Sequence, residues 1–154
     1  MRVALLALAA AAVLSAGCGG GSDGGSSGNP TGPSGSTLAG TWKATRAEFV
    51  GVANPSQRVE VVALGVSLTL VLDGAGTFTL TVAEPGTPSE ITTGAWTASR
   101  DVLRMTPSGM AWSWEFDMNL SGNTLALSNA TFEFDVNGDD RDDQTKLNMT
   151  LTRQ

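Results

Sequence analysis

Histidine is absent from the 154-residue chain, and cysteine occurs once, at Cys18. Without histidine the commonest general base and metal ligand is missing. A single cysteine excludes an intramolecular disulfide and any multi-cysteine zinc site. Basic charge is scarce as well: nine Lys and Arg stand against fifteen Asp and Glu. So acidic a chain repels phosphate, which excludes nucleic acid as the expected partner. Outside the Gly/Ser-rich stretch 19–37 no G-x-S-x-G motif occurs. Nucleophilic catalysis therefore lacks its usual parts, and no enzymatic activity is expected. The length suits one domain.

What is present begins at the N-terminus. Met1-Arg2 supplies a short positive end, and Val3 to Leu14 is an unbroken apolar run of twelve residues. As a helix this run rises about 18 Å, short of the roughly 30 Å hydrocarbon core. That is the length of a signal-peptide core and not of a spanning helix. Small residues then lead into Cys18, where the apolar run gives way to glycine.

The stretch Leu14-Ser15-Ala16-Gly17-Cys18 resembles the lipobox of bacterial lipoprotein signal peptides. The resemblance implies that residues 1–17 are removed by a cut between Gly17 and Cys18. It also implies that the Cys18 thiol receives a diacylglyceryl group and that the new N-terminus is acylated, with palmitate as the representative chain. Ser15 departs from the family's preferred leucine three residues before the cysteine, and Leu14 lies one position earlier. The alternative is an ordinary secretory signal cut after Ala16, with Cys18 left as a free thiol. Two or more acyl chains turn marginal membrane binding into stable anchoring. Gly19 rather than Asp at the next position leans toward the outer membrane by resemblance to enterobacterial sorting.

Residues 18–37 form the lipidated cysteine and a tether, GGGSDGGSSGNPTGPSGST after Cys18. With no large apolar residue it buries too little surface to offset the entropy of ordering. A Gly/Ser coil of this length spans about 24 Å.

From residue 38 to 154 the apolar period is two almost everywhere. Leu68, Leu70 and Leu72 alternate with Ser67, Thr69 and Val71. Phe78, Leu80 and Val82 follow the Asp73-Gly74-Ala75-Gly76 turn. Trp112, Trp114, Phe116, Met118 and Leu120 alternate with polar neighbours, as do Leu125 and Leu127, then Phe132, Phe134 and Val136, then Leu147, Met149 and Leu151. This is the pattern of antiparallel strands with one buried face. Turn signals recur about every ten residues, and Arg58 to Val66 reads equally as strand or as a turn of helix. The prediction is an all-β fold: an up-and-down antiparallel meander of about eight or nine strands, closed into a small barrel to remove exposed edges. The density of Thr, Glu, Asp and Asn on the polar rows argues against a membrane-spanning barrel.

Gly40-Thr41-Trp42, opening the first strand, resembles the lipocalin superfamily, whose tryptophan closes one end of the barrel. The phrases LAGTWKAT, DGAGTFTLTV, Gly94-Ala95-Trp96, SGNTLALS and FEFDVNGDDRDDQTKLNMTLTR resemble the short lipocalin-like domains of bacterial lipoproteins. The resemblance implies barrel closure by Gly40, Trp42 and Arg153, with the arginine covering the opening tryptophan. The later strand motifs and the helix after the last strand of full lipocalins are missing, so no ligand of theirs is carried over.

Two candidate sites remain. Inside the barrel, Phe78, Met105, Trp112, Trp114, Phe116 and Met118 are the residues expected to line any apolar cavity, with methionines adapting it to varied guests. An eight-stranded barrel is just wide enough to be filled or to hold one small ligand. In the acidic stretch Asp135 to Asp143, Asp135, Asn137 and Asp139 match the alternate-oxygen spacing of a calcium loop. Asp140 then stands where glycine is required and Lys146 where a bidentate glutamate belongs. The alternative is a solvated hairpin tip that keeps the edge from pairing. Glu115 and Asp117, two apart on a wet face, read as surface charge rather than as a catalytic pair. No cofactor is expected beyond this weak calcium site.

The sequence thus predicts a lipid-anchored bacterial envelope protein whose barrel binds a small apolar molecule. The alternative is a filled, non-catalytic barrel that contacts another envelope component through its loops or rim.

Overall fold

The computed structural model describes residues 35–154. Cys18, the signal segment 1–17 and the tether up to residue 34 lie outside the described residues. A single helical turn, α1 (Gly35–Leu38), precedes nine strands: β1 (Gly40–Gly51), β2 (Arg58–Glu60), β3 (Ser67–Leu72), β4 (Thr77–Ala83), β5 (Glu90–Ser99), β6 (Val102–Pro107), β7 (Trp114–Ser121), β8 (Thr124–Phe134) and β9 (Asp143–Arg153). The folded part therefore reaches back at least to Gly35, three residues earlier than the sequence predicts.

Every neighbouring pair is antiparallel, and β9 returns to pair with β1 from Trp42↔Arg153 to Gly51↔Thr145. Eight strands close the barrel. The ninth, β2, lies beside the later half of β1 (Glu48↔Glu60, Phe49↔Val59, Val50↔Arg58), where the pairing of β1 with β3 has ended. The segment Arg58 to Val66 resolves as strand first and turn second for a reason in Glu60. Its carboxylate accepts the backbone N–H groups of Ala47 at 2.8 Å, Val62 at 3.2 Å and Ala63 at 2.5 Å. Those bonds replace the ladder that a longer strand would make.

The apolar rows face the barrel axis. Leu68, Leu70, Leu72, Phe78, Val82, Leu103, Met105, Trp114, Phe116, Met118, Leu125, Leu127, Phe134, Leu147, Met149 and Leu151 are all buried, and Leu80 and Phe132 are partly buried against them. The single alternation expected through Trp112 does not extend that far. β7 starts at Trp114, and Trp112 sits half-buried in the preceding loop.

Inward parity shifts within β8, from odd Leu125 and Leu127 to even Ala130, Phe132 and Phe134. A β-bulge absorbs the extra residue: Leu127 opposes Met149, and the next matched pair is Ala130↔Leu147. Asn129 takes the left-handed backbone there, with φ of 67°. Asparagine tolerates that conformation better than most side chains.

One end of the barrel is sealed. Leu38 and Trp42 are fully buried, and the Trp42 indole donates to the Leu38 carbonyl at 2.8 Å. Arg153 lies over the Trp42 ring and donates to the carbonyls of Ala39 and Thr37. Gly40 has φ of 148°, and a Cβ on it would strike the Arg153 guanidinium. Only glycine leaves room for that arginine. The long loops 52–57, 61–66, 84–89, 108–113 and 135–142 gather at the opposite end.

Candidate functional site

The candidate site comprises the barrel interior at the looped end and the rim around it. Strand alternation aims Phe49, Trp114, Phe132 and Phe134 at the same space. Phe49 stacks on Phe134 at 4.2 Å and 8° between planes, and meets Phe132 edge-on at 6.1 Å. Trp114 stacks on Phe132 at 5.4 Å and contacts Phe78 at 6.2 Å and Trp112 at 5.5 Å. Phe116 approaches Phe132 at 6.3 Å. These contacts form a continuous aromatic plug in which each pair adds about 0.5–1.5 kcal/mol beyond area burial.

Of the six predicted ligand-lining residues, the structure gathers four: Phe78, Trp114 and Trp112 in direct contact, with Met105 opposite Trp114 across β6 and β7. Phe116 joins them through Phe132. Met118 stands apart, buried opposite Leu127 nearer the sealed end. The interior cavity that remains is about 40 Å³, lined among others by Met105, Trp114, Phe116 and Met149. That is room for about one water, whereas a benzene-sized guest takes about 150 Å³. The interior is filled.

Electrostatics place charge outside. Thr145 is the only buried polar residue in the described core, and its hydroxyl donates to the Phe132 carbonyl at 3.0 Å. Glu115 pairs with Arg104 on the outer wall, both more than half exposed, a geometry worth little in water. Asp117 accepts from the Asn129 amide at 2.5 Å. The two carboxylates of the wet face are thus engaged with surface neighbours.

The acidic turn is knitted by its own backbone. Asp135 accepts N–H groups from Gly138 at 2.6 Å, Asp139 at 3.2 Å and Asp140 at 3.0 Å. Asn137 Oδ1 accepts from Asp139, and Asp139 Oδ1 from Arg141. Desolvation alone would raise the Asp135 pKa, but the backbone donors of Gly138, Asp140, Asp139 and Asn137 together lower it. The oxygens that the calcium spacing singled out are therefore the ones that shape the loop. Among the described residues no group of three or more Asp, Glu or Cys side chains is arranged to hold a metal ion.

Two features had no clear signal in the sequence. The first is an apolar rim. Val52, Leu64, Ile91 and Met110 are 45, 56, 65 and 43% exposed, and all four lie at the looped end. Only Val71, on the wall near the sealed end, is a comparably exposed large apolar residue in the described chain. Strand alternation could not reveal these side chains because three of them sit in loops. The second is an outer groove of about 390 Å³ at the split between β7 and β8, floored by Trp114 and Phe116 and edged by Asp117, Asn129 and Lys146. The β7–β8 ladder ends at Asp117↔Ser128, where the bulge begins, while β8 runs on to Phe134. The parity shift in the sequence was its only trace.

No described helix is long and apolar enough to cross a membrane. The chain matches no family model, and no curated protein matches it.

Proposed function

We propose that this protein is a lipid-anchored, non-catalytic bacterial envelope protein whose filled barrel presents its looped rim to another envelope component. The observation that carries this reading is the position of the rim relative to the point where the chain enters the fold. The chain arrives at α1, at the sealed end, so an acylated Cys18 draws the Trp42 end toward the lipid. The four exposed apolar side chains lie at the other end, roughly 30 Å away for tilted strands of this length. An apolar arc at the far end of a tethered barrel is a placement suited to meeting a partner. The lipobox-like stretch supports the anchor, and the absence of histidine supports the lack of catalysis.

A photo-crosslinking side chain at Ile91 or Leu64, compared with Val71, tests this reading in the native host. One recurrent crosslinked species from the rim positions, absent from Val71, is expected; indistinguishable patterns from all three reject it. Mass analysis of the mature protein is expected to show an acylated Cys18, and an unmodified thiol removes the anchor.

A small apolar guest inside the barrel is the second reading. It is favoured by Met105 and Met149, flexible side chains on the residual apolar space. Native mass spectrometry showing co-purified lipid would establish it in place of the first.

A further inference from the structure

The wall of the barrel is open between β7 and β8. Their ladder runs from Ser121↔Thr124 to Asp117↔Ser128 and stops there, although β7 reaches back to Trp114 and β8 runs on to Phe134. The bulge at Asn129 turns β8 aside where the ladder ends. Beyond that point each strand keeps only its other neighbour. β7 stays paired with β6 through Arg104↔Glu115 and Met105↔Trp114, and β8 stays paired with β9 from Ala130↔Leu147 to Phe134↔Asp143.

Successive residues of a strand send their backbone N–H and C=O groups to opposite sides. The Met118 N–H donates to the carbonyl of Asp101, beside β6, so Trp114 and Phe116 also bond toward β6. Glu115 therefore sends its pair toward β8. On the other side, the Val52 N–H donates to the Gln144 carbonyl, so Gln144 faces β1 and Thr145 faces β8. Phe132, opposite Thr145, bonds toward β9, which leaves Thr131 and Glu133 directing their N–H and C=O groups at the split. No backbone group of the described residues meets those of Glu115, Thr131 and Glu133 there. The side chains at the groove are engaged elsewhere. The Lys146 ammonium donates to the Asn129 carbonyl at 3.0 Å and to Thr131 Oγ1 at 2.7 Å, Glu115 pairs with Arg104, and Asp117 accepts from the Asn129 amide.

We propose that the split between β7 and β8 takes up an extended segment of another polypeptide, which adds a strand by pairing with Glu115 on one side and with Thr131 and Glu133 on the other. Unpaired strand edges are templates for such addition, with main-chain bonds giving affinity and alternate side chains giving selectivity. Thr131 and Glu133 lie about 6.6 Å apart along β8, the repeat at which an added strand presents its own bonding groups. From Trp114 to Asp117 the open edge is about 10 Å long, which admits about three or four extended residues. The added side chains that turn inward meet the floor of Trp114 and Phe116, behind which only about 40 Å³ of interior space remains. Alanine, serine or valine fits there. Side chains that turn outward lie beside Glu115, Thr131 and Lys146 and are polar. The chain's own stretch 19–34 is an unsuitable source, because Gly, Pro, Asp and Asn are depleted in strands. A second copy is unsuitable too, since its barrel strands are already flanked on both sides. The inference concerns the barrel wall and does not rest on the apolar rim.

The test uses the full chain and a library of octapeptides in which alanine, serine or valine alternates with threonine, lysine or glutamine. Recovered peptides are expected to weaken about tenfold or more when alternate backbone nitrogens on their bonding side are methylated. Thr131→Pro removes an N–H that faces the split and spares the β9 ladder of Ala130 and Phe132, and it is expected to weaken binding to the same degree. Thr131→Ala, which loses the same contact with Lys146 but keeps the N–H, is expected to bind within about twofold of the unaltered chain. Hydrogen exchange reads the split without any variant. In the free protein the amides of Glu115, Thr131 and Glu133 should exchange about tenfold or more faster than that of Phe132, and slow when the peptide is added. Recovery of no peptide overturns the proposal. So does equal binding of the methylated peptides, or exchange at Glu115, Thr131 and Glu133 as slow as at Phe132 in the free protein. Loss of crosslinking at Ile91 would reject the proposed function and leave these results unchanged.

Discussion

The guanidinium carbon of Arg153 lies 4.2 Å above the centroid of the Trp42 ring, joining the end of the last strand to the start of the first. The same guanidinium donates to Ala39 O at 2.7 Å and to Thr37 O, so one side chain clasps the helical turn, the plug tryptophan and β9. Replacing it by lysine keeps the charge but loses the fork that reaches two carbonyls. Arg153→Lys is expected to cost about 1–2 kcal/mol and Arg153→Ala about 2–4 kcal/mol, read from urea unfolding. Equal stability of all three proteins would show that the clasp contributes nothing.

Gly94 faces the interior on β5, and a Cβ there would collide with the Thr106 carbonyl and lie 2.7 Å from Phe78 Cε1 and 2.8 Å from Pro107 Cα. Two of those three neighbours are backbone atoms, which yield little. Gly94→Ala is therefore expected to destabilise by about 2 kcal/mol or more, although alanine suits strands better than glycine. Thermal melting of the variant decides it: an unchanged or higher melting temperature counts against so close an approach of β5 to β6.

The β8 bulge makes a graded prediction. Asn129→Gly retains the left-handed backbone and loses only the bond to Asp117, for about 0.5–1.5 kcal/mol. Asn129→Val adds the strain of a β-branched residue at positive φ, for about 1–3 kcal/mol more. Chemical denaturation of the pair should rank them in that order.

Two carboxyls give opposite pH effects. The folded-state pKa of Asp135 is lowered from its ordinary 3.8, despite desolvation, by the four backbone donors of its turn. Its stabilising contribution is complete above that ordinary value and is lost as pH falls through the lower, folded one. Asp135→Asn should flatten the acid limb of the stability curve. Glu84 is raised from 4.5, first by desolvation and then by the Glu90 charge. It destabilises the fold at neutral pH and is relieved as pH falls through its raised value. Glu84→Gln is expected to raise the neutral-pH urea midpoint slightly, and a fall would contradict the assignment.

A filled interior predicts that apolar probes find no room. The fluorescent dye ANS should show no gain with the native protein, while Phe132→Ala, which removes the ring shared by Phe49, Trp114 and Phe116, should open a binding cavity at a cost of about 3–5 kcal/mol. Strong dye binding by the unaltered protein would point to a larger, adaptable cavity.

The strand assignments were legible because alternation is a local property. Leu68-Thr69-Leu70 and Leu147-Asn148-Met149 state their buried face without reference to any partner, and the turn residues between runs state where the chain reverses. Trp112 was misplaced because a tryptophan two residues before Trp114 continues the parity whether or not the backbone continues the strand. Phe49 and Trp96 escaped the predicted core although both are buried, since their flanking residues alternate less cleanly. Leu38 went unread as core because it follows a stretch whose composition promised no structure.

The sequence alone determined that this chain makes antiparallel strands with one oily face, that they are short enough to close, and that neither a histidine nor an intramolecular disulfide takes part. Those conclusions need only residue types and their period. Tertiary structure decided the rest: that the oily rows meet with about 40 Å³ to spare, that β2 and Glu60 cover the gap beside β1, that Val52, Leu64, Ile91 and Met110 share one rim, and that one Asp143 oxygen is buried without a hydrogen-bond partner. Each of these depends on which distant residues become neighbours once the barrel closes. A period of two fixes the face a side chain takes, and only the closed sheet fixes what it meets there.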